Sequence, residues 1–269
     1  MTLGGRGLHT GAAVRMRIEP GSPGGGIVFV REDLPGSPAV RASVEAVVST
    51  DRATTLQSAA VRVQTVEHVL AALAATGRWN ARVVLSGPEV PIADGSALPF
   101  LMAARAIPPS TPAPIRIARR IEIRVGDALA VAEPADESSV EVETAFPAPV
   151  GHGAARWDGT EGAFEAGFAS ARTFAMQADF DALVSRGLAA GASPDCGVLF
   201  GLDGPVVGGP LRFPDEPARH KLLDLVGDLA LLGAPVAGRI RLLRGGHGLA
   251  IRLLRRIVRD AQGPQAAPH

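Results

Sequence analysis

His220, Asp224 and Asp228 recur at every fourth position of Arg219-His220-Lys221-Leu222-Leu223-Asp224-Leu225-Val226-Gly227-Asp228. On a helix this spacing stacks the three on one face, while Leu222, Leu223, Leu225, Val226, Leu229, Leu231 and Leu232 cover most of the rest. A carboxylate in apolar surroundings is disfavoured unless paired or bound to a cation, and one imidazole cannot compensate two carboxylates. A metal ion would. A helix end with a solvated histidine and ordinary surface carboxylates also meets the pattern, so spacing alone leaves both readings open. Lys221, in the same stretch, is the one lysine of a chain with twenty-six arginines. The two residue types serve equally on a solvated surface, so a lone ammonium marks a task that a guanidinium cannot do.

A second polar pair interrupts an apolar run in Thr65-Val66-Glu67-His68-Val69-Leu70-Ala71-Ala72-Leu73-Ala74-Ala75-Thr76-Gly77. Gly77 suits the position just past a helix end, and Gln64 or Thr65 the start, which puts Glu67 and His68 in the first turn. Taken alone, the pair is a negative charge favouring the helix N-terminus with a histidine at the rim. A catalytic zinc, however, takes three protein ligands of the His/His/carboxylate kind and leaves a fourth position to water. His68, His220 and Asp224 would complete that set, with Glu67 beside it as a base. A third element, Gly245-Gly246-His247-Gly248, falls where a strand turns into the last helix. Glycines there allow close backbone approach to a ligand, although a surface turn has the same composition. The helix N-terminus would lower the pKa of His247 and a nearby Asp228 would raise it, a competition that sequence leaves open.

The Pro-rich segment Pro108-Pro109-Ser110-Thr111-Pro112-Ala113-Pro114 divides the chain into comparable halves. Before it, patterning predicts strands over 14–18, 27–30, 61–63 and 81–85 and helices over 66–76 and 96–105. After it come strands over 115–125, 129–133 and 140–144, helices over 180–186 and 217–232, a strand over 238–243 and a helix over 249–260. The expected fold is α+β, as two similar units at 1–113 and 114–260, each with helices on one face of a mixed sheet. Residues 261–269, rich in Ala, Gly, Pro and Gln, read as a disordered tail.

Composition narrows the function. The 269 residues are 46% hydrophobic with zero formal net charge, enough to bury a large core and without a basic stripe for nucleic acid. The single cysteine, Cys196, excludes an internal disulfide and a thiolate zinc cage, so a metal must use histidine and carboxylate, as suits a reducing cytoplasm. No apolar run reaches transmembrane length and the N-terminus lacks the apolar core of a signal peptide, so a soluble, unexported protein is expected.

Six blocks carry a resemblance: Gly5-Arg6-Gly7-Leu8-His9-Thr10-Gly11, Thr65-Val66-Glu67-His68, Pro91-Ile92-Ala93-Asp94-Gly95-Ser96, Ser170-Ala171-Arg172-Thr173-Phe174, the 219–228 block and Gly246-His247. They stand in the order and approximate spacing of the UDP-3-O-acyl-N-acetylglucosamine deacetylase family, which the chain resembles from Gly5 to about Asp260. The family's members are zinc amidases that make the committed step of lipid A synthesis in Gram-negative bacteria. The resemblance implies two domains whose helix layers face each other between the sheets. It implies zinc, or ferrous iron on the same ligands, held by His68, His220 and Asp224, with Glu67 as general base. Thr173, Lys221 and His247 would surround the scissile amide, with Thr173 donating to the oxyanion, protonated His247 donating to the leaving amine and Asp228 bonded to His247.

The resemblance further implies an insert over 174–200 forming a hydrophobic passage for the 3-O-acyl chain. Phe174, Phe180, Leu183, Leu188, Ala189, Gly197 and Leu199 are its candidate lining, though an apolar helix and strand are as often ordinary core. Phe146 would stack on uracil, and Asp179, Lys221 and Arg244 would contact the sugar and phosphates. A cytoplasmic monomer acting on a UDP-linked acylated amino sugar is expected. Two departures stand out. The family places a strand ahead of its Gly-x-Gly-Leu-His block, whereas this chain begins only a few residues earlier, so the first sheet is expected to lack an edge unless the chain starts upstream. Ala53 stands where some members have a cysteine near the zinc. Two other readings share these residues: a zinc amidohydrolase for another acylated amino sugar, and a silent homologue that binds acylated sugar nucleotides, against which the joint presence of Glu67, His247 and Lys221 argues.

Overall fold

A computed structural model of the chain describes residues 1–59 and 61–261. In the first half the strands are β1 (Thr2–Arg6), β2 (Ala13–Pro20), β3 (Ile27–Arg31), β4 (Ala39–Arg41), β5 (Val47–Ser49), β6 (Thr55–Ser58), β7 (Val61–Val63) and β8 (Ala81–Leu85); the helices are α1 (Glu67–Ala75) and α2 (Leu98–Ala104). The alternation in β2 puts Val14, Met16 and Ile18 on the core face and leaves Arg15 exposed between them. The sheet order is β1-β2-β8-β3-β4, parallel only between β3 and β8. β5, β6 and β7 form a small separate sheet.

The second half has β9 (Ile115–Arg116), β10 (Ile121–Val125), β11 (Ala128–Glu133), β12 (Ser139–Ala145), β13 (His152–Trp157), α3 (Glu161–Gly167), β14 (Phe174–Met176), α4 (Gln177–Ser185), β15 (Val198–Phe200), β16 (Pro205–Val207), α5 (Glu216–Leu229), β17 (Val236–Ala237), β18 (Arg239–Leu243) and α6 (His247–Ala261). Its main sheet, β10-β11-β18-β12-β13, repeats the first sheet's pairing, with the single parallel pair between β12 and β18. In both sheets the central strand falls between two helices along the chain, α1-β8-α2 and, with the short β17 intervening, α5-β17-β18-α6. β14, β15 and β16 form an inserted sheet.

The site is positioned where α1 packs on α5. α1 has no solvent face, since α2 also packs on it, which explains why it is apolar on all sides except at Glu67 and His68. Close approach of the two helices depends on Gly227, where a Cβ would lie 2.8 Å from the Glu67 carbonyl carbon. α6 is amphipathic in the ordinary way, burying Leu249, Ile251, Leu253, Leu254 and Ile257 and exposing Arg252, Arg255 and Arg256.

Several expectations need correction. The first sheet does not lack an edge, because Thr2–Arg6 pairs antiparallel with β2 from Arg17 back to Ala13. The predicted strand over 115–125 is two, since β9 leaves to pair with β17 and β10 starts afresh at Ile121. Helix 217–232 tightens to a 3-10 turn after Leu229 and ends at Gly233, whose φ of 76° is left-handed. Val66, rather than Gln64 or Thr65, precedes the first turn of α1. Ala261 belongs to α6, and the remainder of the expected tail, 262–269, lies outside the described residues.

Candidate active site

The N-terminus of α1 delivers Glu67 and His68 to the middle of α5, which presents His220, Asp224 and Asp228 from successive turns, all buried. One ligating atom each from His68, His220 and Asp224 lies within 4.8 Å of the others. Asp224 Oδ1 is 3.6 Å from His68 Nε2 and 3.4 Å from His220 Nε2, and the two imidazoles meet edge to face. His220 Nδ1 lies 3.1 Å from the Ala171 carbonyl, the one acceptor that assigns a proton to this nitrogen and turns the Nε2 lone pair toward the cluster. Burial, ahead of the nearby Lys221 charge, lowers the pKa of His220 to about 4, so the ring is neutral. Burial alone would raise Asp224, but His220 and the Lys221 ammonium, 2.7 Å from Oδ2, hold it well below the usual carboxylate range. Two imidazoles and a carboxylate, with one ring already oriented from behind, fit a divalent metal such as zinc.

Two proton-carrying groups flank this set. Glu67 is 3% exposed, and burial, opposed by His247 and His68, raises its pKa above the usual carboxylate value. His247 opens α6, and its Nε2 stands 4.0 Å from Glu67 Oε1 and 3.9 Å from Asp224 Oδ2. Burial would discharge this imidazole, but Asp228, 2.7 Å from Nδ1, pushes it up to about 9. The competition left open between helix end and carboxylate therefore goes to Asp228. Lys221 keeps its charge because the Asp224 contact outweighs the cost of burial, and its Nζ lies 5.9 Å from the centre of the Phe174 ring.

These groups open into a cavity of about 430 Å³ that also takes in Thr173, Phe174, Phe146 and Asp179. A second cavity of about 330 Å³ adjoins it, sharing Leu8, His9, Arg52, Thr173, Phe174 and Ala175, and is lined further by Phe180, Leu183, Ala189, Gly197, Leu199 and Val207. The lining runs past the expected limit of the insert to β16. Leu188 is in neither lining. Arg244 is also outside both: its backbone φ is 50° and its guanidinium reaches toward Asp127, 3.9 Å away. Phe146 packs edge-on against Phe174 at 5.1 Å.

Other residues join the site, among them Thr54, which carries no sequence pattern. Thr54 sits fully buried between Glu67 and Asp228, and Leu8, His9 and Arg52 line the junction of the two cavities. Glu89 accepts bonds from the backbone N–H groups of His9 and Thr10 and from the hydroxyls of Thr10 and Thr65, so it ties the His9 loop to the entry of α1. Gly5 to Gly11 was a visible block with no role attached; its role is to form this junction.

The sequence of the UDP-3-O-acyl N-acetylglycosamine deacetylase family matches residues 1–259. A UDP-3-O-acyl-N-acetylglucosamine deacetylase of Myxococcus xanthus is 39% identical over 274 residues, covering 99% of this chain and 87% of the relative. Its namesake in Anaeromyxobacter sp. is 41% identical over 264 residues (95% and 85%), and that of Brucella melitensis biotype 2 is 38% identical over 266 residues (97% and 93%). A family match over residues 1–259 and relatives at 38–41% identity that each cover at least 95% of the chain settle its membership: the chain belongs to the UDP-3-O-acyl N-acetylglycosamine deacetylase family.

Proposed function

We propose that this protein hydrolyses the acetamide of a UDP-3-O-acyl-N-acetylglucosamine, giving UDP-3-O-acyl-glucosamine and acetate, the committed step of lipid A biosynthesis. The observation that carries the reading is that Glu67 and His247 face each other at 4.0 Å with His247 3.9 Å from Asp224, their pKa values pushed in the directions a base and an acid need. His68, His220 and Asp224 would hold zinc, with ferrous iron suited to the same ligands. The bound ion would supply Lewis acidity, making water easier to deprotonate and the developing oxyanion less costly.

Glu67 takes a proton from the attacking water as its oxygen bonds to the acetyl carbon. The carbonyl oxygen gains the negative charge, and the Thr173 hydroxyl on the cavity wall donates to it. His247 Nε2–H then gives its proton to the amine nitrogen as the C–N bond breaks, and Asp228 stabilises the imidazolium until that moment. Lys221 keeps Asp224 ionised and adds a compact positive charge beside the amide. The apolar cavity between α4, β14 and β15 has room for the 3-O-acyl chain, which supports an acylated substrate over a plain UDP-sugar. Phe146 and Asp179, at the rim of the first cavity, remain the contacts for the nucleotide end.

This reading treats 1–113 and 114–260 as two domains of a cytoplasmic monomer, in keeping with the repeated strand-helix order. No helix among the described residues is long and apolar enough to cross a membrane. The test is deacetylation of the UDP-linked substrate by purified protein with and without its 3-O-acyl chain. Release of acetate from the acylated form, at least tenfold faster than from the unacylated one, is expected. Equal rates would remove the acyl passage, and no release by metal-loaded protein would remove the activity.

A further inference from the structure

Thr54 has no part in the proton transfers, yet it touches the machinery at three points. It lies in the loop before β6, two residues beyond Arg52, whose φ of 65° turns the chain inward, and it is 0% exposed. Its hydroxyl donates to Asp228 Oδ1 at 2.7 Å, and its backbone N–H donates to Glu67 Oε2 at 3.1 Å. Its Oγ1 is also 3.3 Å from His247 Nδ1, the nitrogen that donates to Asp228 Oδ2. We propose that Thr54 is a positioning residue that holds the Asp228–His247 pair and the Glu67 carboxylate in one fixed geometry.

The argument is one of geometry. The torsion that turns an aspartate carboxylate is broad, so a carboxylate held at one oxygen can swing about that contact. Asp228 is held at both: His247 takes Oδ2, and among the described residues Thr54 is the only hydrogen-bond donor to Oδ1. Fixing the carboxylate plane fixes the imidazole that hangs from it. Because the Thr54 amide is itself anchored on Glu67, base and acid are referred to one residue although they come from opposite halves of the chain. An ångström of misplacement at a reacting group can cost about a hundredfold in rate, whereas substrate affinity, set mainly by the rest of the cavity, has no reason to change. The amide contact survives substitution of the side chain; the hydroxyl contact does not.

The proposal rests on Glu67 and His247 being base and acid, so these residues serve as separate controls. In metal-loaded enzyme, Thr54→Val, which keeps the shape and deletes the hydroxyl, should lower kcat by about tenfold to a hundredfold with KM within about twofold. Thr54→Ser should recover kcat to within about threefold of wild type. In an Asp228→Ala background, Thr54→Val should add little, because the bond it removes is already gone. If Thr54→Val does not fold, Thr54→Ala takes its place in the same comparison. The proposal is overturned by wild-type kcat in Thr54→Val, by a Ser variant as impaired as the Val variant, or by a full additional loss on top of Asp228→Ala. It is equally overturned if activity falls only in step with metal content and Tm. Wild-type turnover in Glu67→Gln or His247→Ala would instead defeat the functional reading beneath it.

Discussion

Gly227→Ala sets two well-known effects against each other. In a helix interior this substitution ordinarily gains about 1 kcal/mol, because alanine loses less backbone freedom on folding. At Gly227 the new Cβ would meet the Glu67 carbonyl oxygen, with the Glu67 carbonyl carbon at 2.8 Å and its Cα at 3.0 Å. Ordinary carbon contacts lie near ~3.5 Å, so the obstacle must yield by about half an ångström or more at these atoms. It is backbone at the first turn of α1, not the end of a flexible side chain, so relief requires α1 and α5 to part. Overpacking of this kind costs about 1–3 kcal/mol and outweighs the helix term. The parting also acts on chemistry, because Asp228 is the next residue and Glu67 is the one displaced. Expected are a Tm lowered by about 2–6 °C and a kcat/KM lowered by about a hundredfold. Scanning calorimetry and the deacetylation assay on the same preparation give both numbers. A raised Tm with wild-type turnover would refute the reasoning, since it would mean that helix propensity had decided the outcome.

Replacing His68 and His220 together by alanine should abolish stoichiometric metal in purified protein; retained metal, measured by elemental analysis, would defeat the ligand assignment. Lys221→Arg should lower kcat/KM by at least about tenfold, roughly 1.4 kcal/mol, because a planar guanidinium cannot occupy the point 2.7 Å from Asp224 Oδ2 without moving its neighbours. Wild-type kinetics in that variant would reduce the lone lysine to an accident of composition. As the proposed acid, His247 must be protonated, so kcat/KM should fall above about pH 9. Removing the Asp228 charge leaves burial to lower the imidazole pKa, so in Asp228→Asn this alkaline fall should move to lower pH; an unmoved profile would take the acid role from His247.

Some of this site could be read in the sequence, for physical reasons. α1 is a nearly continuous apolar run and α5 is buried on most sides, so Glu67 and His68 in the first, and the i, i+4, i+8 stripe of His220, Asp224 and Asp228 in the second, stand out. Elements without that contrast were missed. Thr2–Arg6 carries two glycines and is mostly exposed, leaving no alternation to find, and it is a strand because β2 supplies its hydrogen bonds. α3 begins under Thr160, whose side chain accepts from the Ala163 N–H, but Gly162 and Gly167 give it little propensity of its own. Only the resemblance makes Arg244 a phosphate contact; it has a left-handed φ of 50° and lies outside both cavity linings, and no sequence period encodes that turn.

The same contrast separates the groups that react from the groups that align them. A ligand, a base and an acid must each be an uncommon residue in an apolar setting, and such a residue is visible alone. Thr54 is a common residue in a loop, and its partners Glu67, Asp228 and His247 lie 13, 174 and 193 positions away. Its meaning arises only when the two repeats close on each other, with α1 from the first packed against α5 from the second. That closure is also what assembles the site, since Glu67 and His68 come from the first half and His220, Asp224, Asp228 and His247 from the second. The residues that set the distance between the halves, Gly227 by absence of a side chain and Thr54 by its two hydrogen bonds, therefore belong to the mechanism as much as the groups that carry protons do.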